Sequence, residues 1–139
     1  MTILGIDPGA NTGIAVFSDG KLEILHTISP HQIPEFLRES GAKRVIFEDS
    51  RLTSFVFTTV KSRPAALKMA RNVGQVDAWC TLIVLTCGEL GIACHGLSPK
   101  QKGAKLNAAQ FAKLTGWLAA SNEHTRDAAA VAWTYRGAK

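Results

Sequence analysis

Three acidic residues stand where the chain could use them for chemistry. Asp7 closes the apolar run Ile3-Leu4-Gly5-Ile6, Glu48 closes Val45-Ile46-Phe47, and Asp127 follows His124-Thr125-Arg126 near the C-terminal end. Carboxylates at the ends of buried strands hold hard divalent cations through oxygen, and a divalent cation beside a polyanion is what phosphodiester hydrolysis requires. Each residue also has an ordinary reading. Asp-Pro-Gly is a common turn in which the aspartate caps its own loop. A glutamate at a strand end is often a solvated boundary residue, and an aspartate in the first turn of a helix is favoured by the helix dipole. The argument for chemistry is that the three lie on separate elements, so the order of the elements decides whether they meet.

Local rules orient them. Pro8 drives Asp7 away from the helical region, which keeps its carboxylate on an extended strand end, and Gly9 lets backbone or phosphate approach. Strand alternation places Glu48 with Ile46 on one face and Asp49 with Phe47 on the other. His124 and Asp127, three residues apart, share one helix face that Val131 and Tyr135 continue, and the run Ala128-Ala129-Ala130 permits close packing.

The elements that must position them read as follows. Residues 2–7 form a buried strand. Asn11-Thr12-Gly13 turns into Ile14–Phe17, and Asp19-Gly20 joins that strand to Leu22–Leu25 as a hairpin. Ser29-Pro30 starts a helix that Gly41 stops. Residues 43–48 are a fourth strand, joined to the third by a helix and so parallel to a neighbour. Pro64 to Leu90 is a long helix, with strand propensity at Thr81–Val84. Ile92 to Leu97 is a fifth strand. Asn107 and Gln110 make a capping box for a short helix before Gly116. Ser121 or Asn122 caps a final Ala-rich helix closed by Gly137. A three-strand meander followed by alternating helix and strand gives an α/β fold, a five-stranded mixed sheet flanked by helices in ribonuclease H-like order.

Composition agrees with one globular domain over residues 1–139: hydrophobic residues make up 46% and charged residues 19%. Sixteen Lys and Arg against eleven Asp and Glu leave +5. Gathering acids at one site makes the remaining surface more basic still, which suits a nucleic-acid partner. Cys80, Cys87 and Cys94 make no CxxC and are odd in number, so buried thiols in a reducing cytosol are expected. The N-terminus lacks a signal-peptide pattern, and Leu82–Cys87 is too short to span a bilayer. The expectation is a cytoplasmic protein (in the host cytoplasm if phage-encoded) with no membrane partner. Walker, HExxH and GxSxG motifs are absent, and His26, His31 and His95 lack partners at ligand spacing.

These motifs together resemble the RuvC family of Holliday junction resolvases, in particular its short phage-type members. The likeness runs almost from end to end. It rests on Gly5-Ile6-Asp7-Pro8-Gly9 with Thr12-Gly13, on Glu48, on Val73-Gly74-Gln75, on Ser98-Pro99-Lys100-Gln101-Lys102, and on the closing His-x-x-Asp before alanines. The resemblance implies a structure-selective endonuclease that resolves four-way junctions as a homodimer. It implies a metal site of Asp7, Glu48, His124 and Asp127 holding two Mg²⁺ or Mn²⁺ ions. Asp7 would bridge both ions, Glu48 and Asp127 would each hold one, and His124 would ligate or orient the water. Many relatives carry Asp at the position of His124. The family's phosphate-contacting lysine falls at Lys100 or Lys102, of which Lys102 is preferred. The segment 49–63 departs from the better-known bacterial members.

Between strand four and the long helix, cations, hydroxyls and two phenylalanines alternate. Arg51, Lys61 and Arg63 could anchor on phosphates while Phe55 and Phe57 stack on bases, or the phenylalanines could be core residues of an extra edge hairpin. Lys100, Lys102, Lys105 and Lys113 form a second basic group, or an ordinary solvated face. Three other functions compete. One is a catalytically idle binding module on the same fold, and another a nuclease for other branched or replicative DNA. The third is an actin-like or sugar-kinase phosphate motif, which needs two such domains.

Overall fold

The structure, a computed structural model, describes residues 1–53, 61–101 and 103–137. Strands β1 (Thr2–Asp7), β2 (Thr12–Ser18) and β3 (Lys21–Ile28) form the expected antiparallel meander. Helix α1 (Ile33–Ser40) leads to β4 (Arg44–Glu48), which pairs parallel with β1. Helix α2 (Arg63–Leu90) leads to β5 (Ala93–Leu97), parallel to β4. The sheet order is β3-β2-β1-β4-β5. Helices α3 (Ala108–Thr115) and α4 (Glu123–Ala132) complete the fold.

Alternation along the strands divides the core in two. Leu4, Ile6, Ile14, Val45 and Phe47 face α1 and α2, where Ile33, Leu37, Cys80, Ile83 and Cys87 meet them. Ile3, Ala15, Phe17, Ile46 and Leu97 face α3 and α4, where Phe111, Ala128, Ala129, Val131 and Ala132 are buried. The result is three layers with the sheet in the middle. The thiols follow this packing. Cys80 and Cys87 are buried and Cys94 partly so, all three free. Burial pushes the Cys80 thiol up, and the adjoining Cys87 thiol together with burial pushes Cys94 further.

Three sequence expectations need correction. The final α-helix does not run to Gly137: it ends at Ala132 and tightens into a 3₁₀ turn over Trp133–Tyr135. Trp133 packs on Phe17, and the Arg136 guanidinium stacks over the Trp133 ring at 3.7 Å, so aromatic packing rather than a glycine ends this element. Pro30–Gln32 is likewise a 3₁₀ turn that precedes α1 rather than its first α-helical turn. The third concerns α2. Across its full length, not only Leu82–Cys87, it is long and apolar enough to cross a membrane by length and composition alone, with 22% of the relevant window buried. Its buried residues are Cys80, Ile83, Thr86 and Cys87, and Val76 packs against the same cluster, so the half from Val76 onward lies on the sheet while the earlier turns are largely exposed.

Helix α4 lies unusually close to the sheet. A Cβ at Gly5 would overlap the carbonyl oxygen of Ala128, and one at Gly13 would overlap that of His124. These two glycines let helix backbone rest directly on strand backbone. Replacing either by alanine should destabilise the protein by about 1–3 kcal/mol or more, because the obstruction is main chain that cannot rotate away. Urea unfolding of Gly5→Ala and Gly13→Ala checks this; a control at Gly88, where an added Cβ meets nothing, should not lose stability.

Candidate active site

The parallel register pairs Ile6 with Phe47. Asp7 and Glu48 are the next residues on each strand, so they leave neighbouring strand ends about 4.8 Å apart. Alternation turns both toward α4, with Ile3 and Gly5 below Asp7 and Ile46 below Glu48. The turn after Asp7 is fixed by the fully buried Thr12, whose hydroxyl donates to the Gly9 carbonyl at 2.7 Å. Asp7 pairs across the meander with Gly13, the residue on which the His124 carbonyl rests.

The start of α4 is built to hold its place. Asn122 accepts from the Thr125 amide at 2.9 Å, and the Thr125 hydroxyl accepts from the Asn122 amide at 3.0 Å, a reciprocal capping box. The Asn122 side-chain amide also donates to the Thr27 hydroxyl of β3 at 3.0 Å, tying the helix start to the sheet edge. One turn in, His124 Nδ1 lies 3.8 Å from Asp7 Oδ2, and Asp127 is nearly buried. The structure thus brings His124 beside Asp7 and places Asp127 on the next turn of the same face.

A cation the sequence reading did not single out for the site also arrives there. Lys105 Nζ stands 3.6 Å from Asp127 Oδ2. It is held in reach because Arg126 donates from Nε to the Leu106 carbonyl at 2.9 Å and from Nη1 to the Ser121 hydroxyl at 3.0 Å. A cleft of about 380 Å³ opens between Lys105, Asn107, Glu123 and Asp127. Sequence spacing offers no signal for this pair, since it depends on the Arg126–Leu106 tie across twenty residues.

The donors are carboxylate oxygens and one imidazole, a set that fits a hard divalent cation. As placed, no three His, Cys, Asp or Glu side chains among the described residues gather tightly enough to form a coordination shell. Lys105 and His124 instead stand against two of the carboxylates. The fit therefore lies in donor chemistry and in the shared face.

The basic residues divide. Lys61, Arg63, Lys100, Lys105 and Lys113 are exposed. Arg51 is exposed as well, but its guanidinium is turned back onto Asp49, with Nε at 2.9 Å from Oδ1 and Nη2 at 2.9 Å from Oδ2. Asp49 lies on the α2 face, opposite Glu48, as alternation requires. The Arg51 guanidinium holds its carboxyl below the usual carboxylate range. Phe55, Phe57 and Lys102 lie outside the described residues.

No family model and no curated protein matches the chain. Among solved structures, one of "T. thermophilus RuvC in complex with Holliday junction substrate" matches with a TM-score of 0.64 at 19% identity, covering 96% of this chain and 91% of its own. That likeness shows the fold: the five-stranded mixed sheet with flanking helices is the ribonuclease H-like arrangement seen in RuvC.

The helix that carries His124 and Asp127 depends on its cap. Asn122→Ala removes both the acceptor for Thr125 and the bond to Thr27, and should lower stability by about 1–2 kcal/mol, more than a cap on a free helix. Thermal and urea unfolding measure it, and a loss near zero would mean that the cap does not hold α4.

Proposed function

We propose that this protein is a metal-dependent, structure-selective DNA endonuclease that resolves four-way junctions by hydrolysing phosphodiesters symmetrically. The observation that carries the reading is that Asp7 and Glu48 end adjacent parallel strands while His124 of α4 lies 3.8 Å from Asp7, with Asp127 one turn further along that helix. The RuvC structure that shares the fold was solved with a Holliday junction, which supports the same substrate here.

Asp7, Glu48, Asp127 and His124 would hold two Mg²⁺ or Mn²⁺ ions, which when bound supply the Lewis acidity that in-line hydrolysis needs. The protein's own groups do the rest. Asp7 and Glu48, fixed by the β1–β4 register, set the position of the negative charge. His124 ligates or orients the attacking water, and its imidazole tilts the site toward Mn²⁺ relative to an all-oxygen set. Lys105, against Asp127, would turn to the substrate phosphate, with Lys100 and Lys102 upstream of it. Lys61 and Arg63 would anchor flanking phosphates around a Phe55–Phe57 wedge, which gives affinity that falls as salt rises.

Two matched cuts suit an isologous homodimer. Helix α2 offers the surface: Leu67, Gly74, Ala78 and Leu85 are all exposed and fall on one stripe at helical spacing. Small residues between two leucines suit close approach of a second copy. The protein would act in the cytoplasm, or in the host's if phage-encoded.

Asp7→Asn keeps the shape and removes the charge. It should bind a synthetic mobile junction with unchanged affinity while its cleavage rate falls by several orders of magnitude. Wild-type cutting by this variant at saturating Mn²⁺ would refute the site. Equal cutting of linear duplex and junction by the wild type would instead assign the enzyme to other DNA. By sedimentation, the free protein should have the mass of a dimer, and Leu67→Lys with Leu85→Lys should shift it to monomer; a wild-type monomer both free and on junction DNA would refute the assembly.

A further inference from the structure

The buried Asp49 and the exposed Arg51 form a clamp that the hydrolysis described above does not use, yet it sits one peptide from Glu48. Asp49 is 4% exposed and accepts three N–H groups of Arg51: the backbone amide at 3.0 Å and the two guanidinium nitrogens described above. Its carboxylate fills the space below Gly96, where an added Cβ would come within 2.7 Å of Oδ2 and 3.1 Å of the Phe47 ring. The pair therefore has one seat, shaped by the bare backbone of β5.

The clamp is braced on α2. The Ser50 hydroxyl donates to Asp77 Oδ1 at 2.6 Å, Arg51 Nη1 reaches the Thr81 hydroxyl at 3.4 Å, and the Thr81 hydroxyl in turn donates to the Asp77 carbonyl at 3.1 Å. It also fixes the peptide that orients Glu48. The Asp49 amide donates to the Leu97 carbonyl at 2.7 Å, and the Cys80 thiol faces the Glu48 carbonyl at 3.7 Å. Side chains 48 and 49 leave opposite faces of one strand, so rotating that peptide to redirect Glu48 would drag a desolvated carboxylate off its guanidinium.

We propose that the Asp49–Arg51 pair, braced by Ser50, Asp77 and Thr81, is the positioning device that aims Glu48 at the metal site and couples it to helix α2. The proposal rests on the metal-site reading above. It also reassigns Arg51, whose charge pattern in the sequence suggests a phosphate anchor. A positioning group outside the ligand set changes metal affinity by about 10–100-fold when lost. Bidentate geometry is the essential feature, because a lysine supplies the same charge as a point and cannot span both carboxylate oxygens.

The test uses the full-length protein. Mn²⁺ binding is measured without DNA from the loss of the free-ion electron paramagnetic resonance signal, and junction affinity by mobility shift in EDTA. In Arg51→Lys and Asp49→Asn, Mn²⁺ affinity should fall at least tenfold while junction affinity stays within twofold of wild type. Cleavage should recover to within a few-fold at saturating Mn²⁺. Wild-type Mn²⁺ affinity in a folded Arg51→Lys overturns the proposal, whatever happens to stability. Weakened junction binding in Arg51→Lys with unchanged Mn²⁺ affinity also overturns it, and restores Arg51 as a DNA contact. If Asp49→Asn does not fold, Arg51→Lys decides alone. If the wild type binds no Mn²⁺ that Asp7→Asn abolishes, the metal-site reading itself fails, and the proposal with it.

Discussion

The site depends on two missing side chains. Gly5 and Gly13 let the main chain of α4 lie on the main chain of β1 and β2, with Ala128 and His124 carbonyls where Cβ atoms would otherwise stand. Removing the usual layer of side chains brings a helix turn to the level of the strand ends, and so places His124 against Asp7. Had either glycine been larger, the helix would stand off from the sheet, and His124 would not reach Asp7. Chemistry at the strand ends is thus set by close packing several residues away.

Consecutive acidic residues on β4 show how the sheet separates two kinds of carboxylate. Asp49 faces α2, is nearly buried, and has its charge balanced by the Arg51 guanidinium, which holds its carboxyl below the usual carboxylate range. Glu48 faces the α4 side, at the more open strand ends beside Asp7. One is held by Arg51 within its own loop; the other stands at the strand end next to that of Asp7, on the face that α4 covers. The same strand alternation that builds the core decides which acid faces α2 and which faces α4.

Much of this was legible in the sequence because it is local. The Asp19-Gly20 hairpin, the glycine at position 41 in the left-handed region, the Asn107–Gln110 box and the helix stretch from Pro64 all follow from neighbours a few residues apart. The opposed directions of Glu48 and Asp49 follow from period two alone. What escaped depends on distant partners. A glycine within a strand reads only as a weak pairing position, and nothing near Gly5 announces that Ala128 will cover it. Arg51 looked outward in a run of cations because its partner lies on the core side of the strand end. Lys105 reached Asp127 through a carbonyl that Arg126 grips. The Gly137 stop lost to Trp133, whose ring found Phe17.

Helix α2 is anchored over one half of its length. Its residues from Val76 onward are fastened to the core, while the turns from Arg63 carry Lys68 and Arg71 with no acidic residue before Asp77. A segment of that length is marginal as an isolated helix in water, so it keeps its form as the continuation of a secured rod. Whatever docks against it meets a shape already made, and little conformational freedom remains to be lost on contact. Any tilt imposed on that overhanging end is carried along a stiff axis to Asp77 and Thr81, on the far side of the sheet from the cleft. Mechanically the helix is a lever whose fulcrum is the sheet.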